Sequence, residues 1–321
     1  VRISGYRSQR TLNRPASVRG VGLVSGTPVH LRFLPAAANT GVVFVRTDLP
    51  FRSETPALAD QVTGTARRTT IGPDDSGVTL VEHVLGALAG LRIDNCRVEL
   101  DAPEPPGLDG SAGEFVAAIR AAGVALQPAR RAVWTPTEPI TVAERGATIT
   151  LYPSDPGDTG LKATYALDYG PRSPIARQTV TTELTPASVA RDLAHCRTFL
   201  LDSEAAGLRR QGVGRHLTAS ELLVFGPRGP IDNTLRHADE PARHKVLDLV
   251  GDLALCGAGV SGHIVAYRSG HALNVALAQE LLARVALCEA ATAAPETSEA
   301  PDVIHPTRGF LPRRPRRQEA A

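Results

Sequence analysis

One order of patterns runs through this sequence twice, and it constrains the fold more than any single motif. Each pass begins with β-rich stretches, continues with a helix and a strand, and ends with a second helix. In the first pass ASVRGVGL, TPVHLRFLPA and GVVFVRTDL are rich in β-branched residues and punctuated by Gly and Pro, so they read as strands. VEHVLGALAG (81–90) carries apolar residues at Val81, Val84, Leu85 and Leu88, which is helical spacing. CRVELD is a strand, and SAGEFVAAIRAAGV is a second helix. Ser111 stands in its N-cap position and Glu114 three residues on, as in a capping box.

Near Pro128 the order restarts. ITVAERGATITLYP, LKATYALDYG and ARQTVTTEL read as strands and TPASVARDLA as a helix. A long helix is expected from about Asp239 to Leu255, then the strand GHIVAYRSG and the helix HALNVALAQELLARVAL. The 321 residues suit two cores better than one. The expectation is an α+β protein of two similar β-α-α-β domains, 1–129 and 130–288, each a sheet packed on helices. The Pro-rich, polar stretch PARRAVWTPTEP is the expected linker. The two passes share no convincing sequence identity, so a duplication rests on the order of elements.

Composition removes several classes of function. A formal net charge of +2 supplies no global field for nucleic acid. Cys96, Cys196, Cys256 and Cys288 lie far apart with no CxxC pair, which argues against a zinc ribbon. No stretch approaches the ~20 apolar residues of a membrane span. The first residues, VRISGYRSQRTL, lack the apolar middle of a signal peptide. The expected location is the cytoplasm. From 289 to 321 the sequence turns to Ala, Pro, Glu and Arg, and a disordered tail is expected.

The chemistry concentrates in Arg243-His244-Lys245-Val246-Leu247-Asp248-Leu249-Val250-Gly251-Asp252. His244, Asp248 and Asp252 are four apart and share one helix face, while Val246, Leu247, Val250 and Leu253 form the apolar stripe. Imidazole and carboxylate at that spacing converge on one metal ion. The same spacing also suits a locally paired histidine and a surface carboxylate. A catalytic zinc site takes three protein ligands, and His83 is the best third candidate. It follows Glu82 in an otherwise apolar helix, where both groups need partners. Glu82 would then be placed as a general base. His271, at the turn Ser269-Gly270-His271, reads either as a proton donor oriented by Asp252 or as a helix-start residue with no role.

These residues sit in blocks that resemble the UDP-3-O-acyl-N-acetylglucosamine deacetylases, zinc amidases of lipid A biosynthesis. The blocks are QRTLNRPASVRGVGL, PAAANTGVVFVRTDLP, VEHVLGALAGLRIDN and GLDGSAGEFV, then CRTF, LRHADEPARHKVLDLVGDL and AYRSGHALN. They run in order from about Gln9 to Leu282. The resemblance implies two β-α-α-β domains with the site between them. It implies zinc on His83, His244 and Asp248, with Fe²⁺ a further occupant of such a set. It implies Glu82 as base, His271 with Asp252 as the catalytic pair, and Thr198 on the substrate carbonyl. Lys245, Phe199, Arg197 and Arg268 are the implied substrate contacts, the arginines suiting a diphosphate. The implied partner is a UDP-linked acylated amino sugar; separately, a monomer is expected. The chain departs from the family pattern at Val24 (usually His), Leu80 (Thr), Leu200 (Gly), Pro241 and Ala242. Those departures leave two other readings open: a diverged deacetylase of another N-acetylated sugar nucleotide, and a non-catalytic sugar-nucleotide binding protein.

Overall fold

Alternation sets the strands. In Pro28–Pro35 the buried residues are Val29, Leu31 and Phe33, every second position, so one face enters the core and the other meets solvent. The computed structural model describes residues 1–219 and 221–293. In it the strand-forming stretches of each half close into a five-stranded sheet. The first is ordered Ala16–Val21, Pro28–Pro35, Cys96–Leu100, Val42–Arg46, Ser53–Pro56. The second is ordered Ile140–Glu144, Ala147–Tyr152, Gly262–Tyr267, Leu161–Leu167, Gln178–Glu183.

Numbered along the chain within each sheet, both orders read first, second, fifth, third, fourth. In both, the last strand inserts at the centre and runs parallel to the third. The α+β fold is therefore present, and two sheets of one topology support the repeated order of elements.

The described helices are α1 (Glu82–Gly90), α2 (Gly113–Ala122), α3 (Pro186–Ser188), α4 (Asp202–Arg210), α5 (Glu240–Ala254) and α6 (His271–Ala293). α1 and α5 occupy equivalent places, just before the last strand of their sheets, and they pack closely on each other. All of α1 except Ala89 is buried. Glycine makes the crossing possible. A Cβ on Gly251 would sit 2.0 Å from the Glu82 carbonyl oxygen, and one on Gly86 would sit 3.2 Å from that of Leu247. One continuous buried cluster, including Phe33, Leu85, Leu247 and Leu277, runs through both halves.

Several expectations change. PARRAVWTPTEP is not a loose linker: through Thr135 it belongs to the strand Val124–Thr135, which pairs antiparallel with Arg2–Leu12 and parallel with Gly259–Val260. Pro128 and Arg130 occupy exposed positions of a two-sided ribbon, while Arg131 is partly buried. Ser111 does not complete a capping box with Glu114. α2 starts at Gly113, whose N–H donates to Ser111 Oγ at 3.2 Å, while Ser111 Oγ donates to Asp109 at 2.6 Å. TPASVARDLA forms only the short α3 followed by one wide π-turn, Val189–Leu193. α6 continues past Cys288 to Ala293, and the rest of the expected tail lies outside the described residues.

Candidate active site

The α1–α5 crossing brings His83, at the start of one helix, onto His244 and Asp248 of the other. The ligand atoms of the three all lie within 4.8 Å of one another and all three residues are buried. Asp248 Oδ1 is 3.3 Å from His244 Nε2 and 3.6 Å from His83 Nε2, yet it has no hydrogen-bond partner. Two ligands at tetrahedral angles on a metal ~2.0–2.2 Å away lie about 3.4 Å apart. The spacing therefore suits a cation between them. His244 Nδ1–H donates to the Cys196 carbonyl at 3.0 Å, which leaves the Nε2 lone pair pointing at the cluster.

Electrostatics favour the same occupant. Burial lowers the His244 pKa to about 4 and outweighs the Asp248 charge, so this imidazole is neutral. Burial alone would raise Asp248, but His244, Lys245 and His83 hold it well below the usual carboxylate range. Lys245 Nζ donates to Asp248 Oδ2 at 3.0 Å and leaves Oδ1 free. Burial would also lower His83, yet Asp248 and Glu82 raise it above its ordinary value. A cation bound here releases that proton.

Beside the cluster, Glu82 Oε2 accepts from the Thr69 N–H at 3.0 Å, and Oε1 lies 4.0 Å from His271 Nε2. Burial raises the Glu82 pKa against the opposing pull of His271 and His83. His271 Nδ1–H donates to Asp252 Oδ2 at 2.9 Å. Burial lowers this histidine, but Asp252 and then Glu82 raise it more, to about 9. Asp252 is itself saturated: Thr69 Oγ1 donates at 2.6 Å and Asn274 Nδ2 at 2.9 Å. The arrangement holds a carboxylate able to take a proton and an imidazolium able to give one, both facing the place of a metal.

A family model, LpxC, UDP-3-O-acyl N-acetylglycosamine deacetylase, matches residues 9–283. The chain belongs to that family. It is 39% identical over 280 residues to the UDP-3-O-acyl-N-acetylglucosamine deacetylase of Nostoc sp., covering 86% of this chain and 98% of the relative. It is 40% identical over 284 residues to the protein of the same name from Anaeromyxobacter sp., covering 87% and 90%. It is also 39% identical over 302 residues to the bifunctional enzyme LpxC/FabZ of Chlorobaculum tepidum, covering 85% of this chain and 64% of that longer protein.

In this deacetylase-family chain the cluster opens into a cavity of ≈ 700 Å³. Thr198, Phe199 and Lys245 line it, as do Val24, Leu80 and Leu200, three of the positions that depart from the family pattern. The Phe199 ring stands edge-on to His244 at 6.2 Å, with Lys245 Nζ 5.9 Å from its centre. Pro241 falls in the first turn of α5, where no N–H is required of it. One wall is apolar. It comes from Phe199–Leu201, α4, Leu223–Gly226 and the connection between the last two, with Leu208, Val213, Leu217 and Leu222 in the lining.

Two expected substrate contacts stand elsewhere. The Arg197 guanidinium is buried away from the cavity and fully engaged. Nε and Nη2 reach the Glu240 carboxylate at 2.8 and 3.1 Å, Nη1 donates to Asn233 at 2.9 Å, and Nη2 also donates to the Thr234 carbonyl at 2.7 Å. It ties the start of α5 to the preceding loop. Arg268 is exposed, ion-paired with Asp168 at 2.9 Å and laid over Tyr267; it does not line the cavity. Arg67, Arg68 and Arg209 do line it. Sequence reasoning missed these three, and also Thr69 and Asn274. Asn274 left a signal, a lone amide one turn into an apolar helix. Thr69, in the polar run ARRTT, left none.

Proposed function

We propose that this chain hydrolyses the N-acetyl amide of UDP-3-O-acyl-N-acetylglucosamine, releasing acetate and the free amine, as a step of lipid A biosynthesis. The observation that carries this reading is the buried, unpartnered Asp248 Oδ1 between two imidazoles at the head of a large cavity. His83, His244 and Asp248 would hold Zn²⁺, or Fe²⁺, since two imidazoles and one carboxylate suit either. When bound, the metal supplies Lewis acidity at the scissile carbonyl and at water.

The remaining steps fall to side chains. Glu82, its proton affinity raised by burial, takes a proton from the attacking water. The Thr198 hydroxyl steadies the charge that develops on the carbonyl oxygen. His271, cationic and held by Asp252, gives a proton to the departing amine nitrogen. Lys245, with Arg67, Arg68 and Arg209, faces the anionic part of the substrate. Phe199 and the apolar wall take the acyl chain. On this reading 1–129 and 130–288 are two units with the reaction between them. One chain holds every group the reaction needs and works as a monomer in the cytoplasm, where nucleotide sugars are found. No helix among the described residues is long and apolar enough to cross a membrane.

The test is acetate release by metal-defined protein, with and without added Zn²⁺, from UDP-3-O-acyl-N-acetylglucosamine and from UDP-N-acetylglucosamine. Metal-dependent release that requires the acyl chain is expected. No release from protein holding one metal per chain overturns the reading. Equal turnover of both substrates moves it to another N-acetylated sugar nucleotide, a shift to which Val24, Leu80 and Leu200 in the cavity wall would contribute.

A further inference from the structure

A second cavity, of ≈ 260 Å³, lies away from the catalytic groups. Its floor is apolar, with Leu85 and Leu88 from α1, Val250 and Leu253 from α5, and Leu58 and Leu161 beside them. Leu85 and Val250 follow the ligands His83 and Asp248 by two residues, so this floor uses the opposite faces of the two helices that carry the metal cluster. Leu88 is ~7.5 Å along α1 from His83 at the usual helical rise.

The charged residues lining this cavity are Arg7, Arg92, Arg131 and Asp94, three cations against one carboxylate. Arg7 and Arg131 stand directly opposite each other in the antiparallel ribbon, a placement that like charges disfavour. Asp94 does not neutralise the set. Its two oxygens accept from both Arg7 Nη atoms at 2.6 Å, and Oδ2 accepts again from the Arg10 N–H at 2.9 Å. Arg131 Nη2 donates to the Gly257 carbonyl at 2.9 Å, but its Nε is buried, 3.2 Å from Asp94, and makes no hydrogen bond.

Arg92 is the sharpest case. It is half-buried, and its guanidinium makes no hydrogen bond or ion pair among the described residues. Its backbone is left-handed, with φ 58°, which costs a non-glycine residue energy. Burial, then Arg7 and Arg10, push its pKa below the ordinary arginine value, against the opposing pull of Asp94. A strained, half-buried cation facing other cations across a cavity is short of an anion.

We propose that this cavity binds a small amphipathic anion, with a carboxylate or phosphate head between Arg92 and Arg131 and an apolar body on the leucine and valine floor. A guanidinium fork suits either head. A volume of ≈ 260 Å³, just below the usual range of small-molecule sites, restricts the body to a short chain.

The test is calorimetric titration and thermal melting of the full, metal-loaded chain with octanoate, octyl phosphate, acetate and inorganic phosphate. At least one octyl ligand should bind about tenfold or more tightly than the matching head alone, and the better of the two identifies the head. Arg92→Gln and Arg131→Gln should each weaken it about tenfold. Arg92→Gly should weaken binding at least as much yet raise the unliganded melting midpoint by about 2 °C, because glycine relieves the left-handed backbone. Undiminished binding in both glutamine variants would place the amphiphile in the larger cavity and overturn the proposal. So would inorganic phosphate binding as tightly as octyl phosphate, or no binding at all.

Discussion

The two halves share a strand order but not a division of labour. Each places a helix before its central strand, and α1 and α5 meet through Gly86 and Gly251. The helices that follow the central strands differ. α2 gives no residue to the catalytic cavity, whereas α6 opens with His271, 4.0 Å from Glu82 beside the metal cluster. The connections into the crossing helices differ too. In the second half it carries α3, α4 and a small three-stranded sheet, of which α4 and the sheet line the large cavity. The common scaffold thus supplies the buried, charge-bearing floor of the site. The unequal insertion supplies the apolar wall of the rim, which it shares with Val24, Arg67, Arg68 and Leu80 of the first half.

The sharpest way to break this comparison is at the floor, on α1. Glu82→Gln keeps the volume but cannot accept a proton. Acetate release should fall by about 10²- to 10⁴-fold with metal content unchanged. A variant near wild-type rate would leave α1 with a ligand and no acid–base role, and the floor would then belong mainly to the second half.

Asp252→Asn tests α6 through its partner on α5, and about 10²-fold in kcat is expected. The pH profile carries more information. Burial lowers His271, while Asp252 and Glu82 raise it to about 9, so its proton is present below that pH and lost above it. Activity that needs this proton falls as pH rises through about 9. Without the Asp252 charge the alkaline limb moves to lower pH. Stability follows the same sign: a raised folded pKa contributes below the unfolded value of about 6.5, and that contribution is lost as pH climbs through the folded one. An alkaline limb unmoved by the substitution would assign it to another group.

Gly251→Ala addresses the crossing itself. The new Cβ would lie 2.0 Å from the Glu82 carbonyl, so the helices must separate. A loss of ~1–3 kcal/mol is expected in denaturant unfolding, with weakened metal retention. Gly270→Ala, whose Cβ meets nothing within 4 Å, is the matched control. Equal stability of the two variants would mean the helices have slack, and the ligand geometry would need another origin.

The floor was legible in the sequence and the rim was not, for physical reasons. His83, His244 and Asp248 stand out because charged groups at helical spacing in apolar segments need partners. The structure brings them together. α4 shows no such contrast: Ala205 is its one buried residue, so its pattern carries no apolar stripe. Arg197 misled because residue type suggests a phosphate ligand, whereas only burial reveals the Glu240 clamp. The ribbon strand Val124–Thr135 misled because its exposed Arg and Pro resemble a linker. Thr69 was beyond reach, since its bond to Asp252 joins residues distant in the chain.

The rim yields the smallest expected effect and the one that best sharpens the contrast. Leu208 lies on α4 and faces the cavity. Leu208→Ala removes apolar surface from the wall assigned to the acyl chain, at roughly 25 cal/mol per Å², so KM for a long-acyl substrate should rise about tenfold. The contact is the same in ground and transition states, so kcat should hold. Shortening the acyl chain should shrink the difference between variant and wild type until the two coincide. A fall in kcat at unchanged KM would instead mean that the wall positions the amide. The insertion would then be part of the catalytic floor, and the division between scaffold and rim would fail.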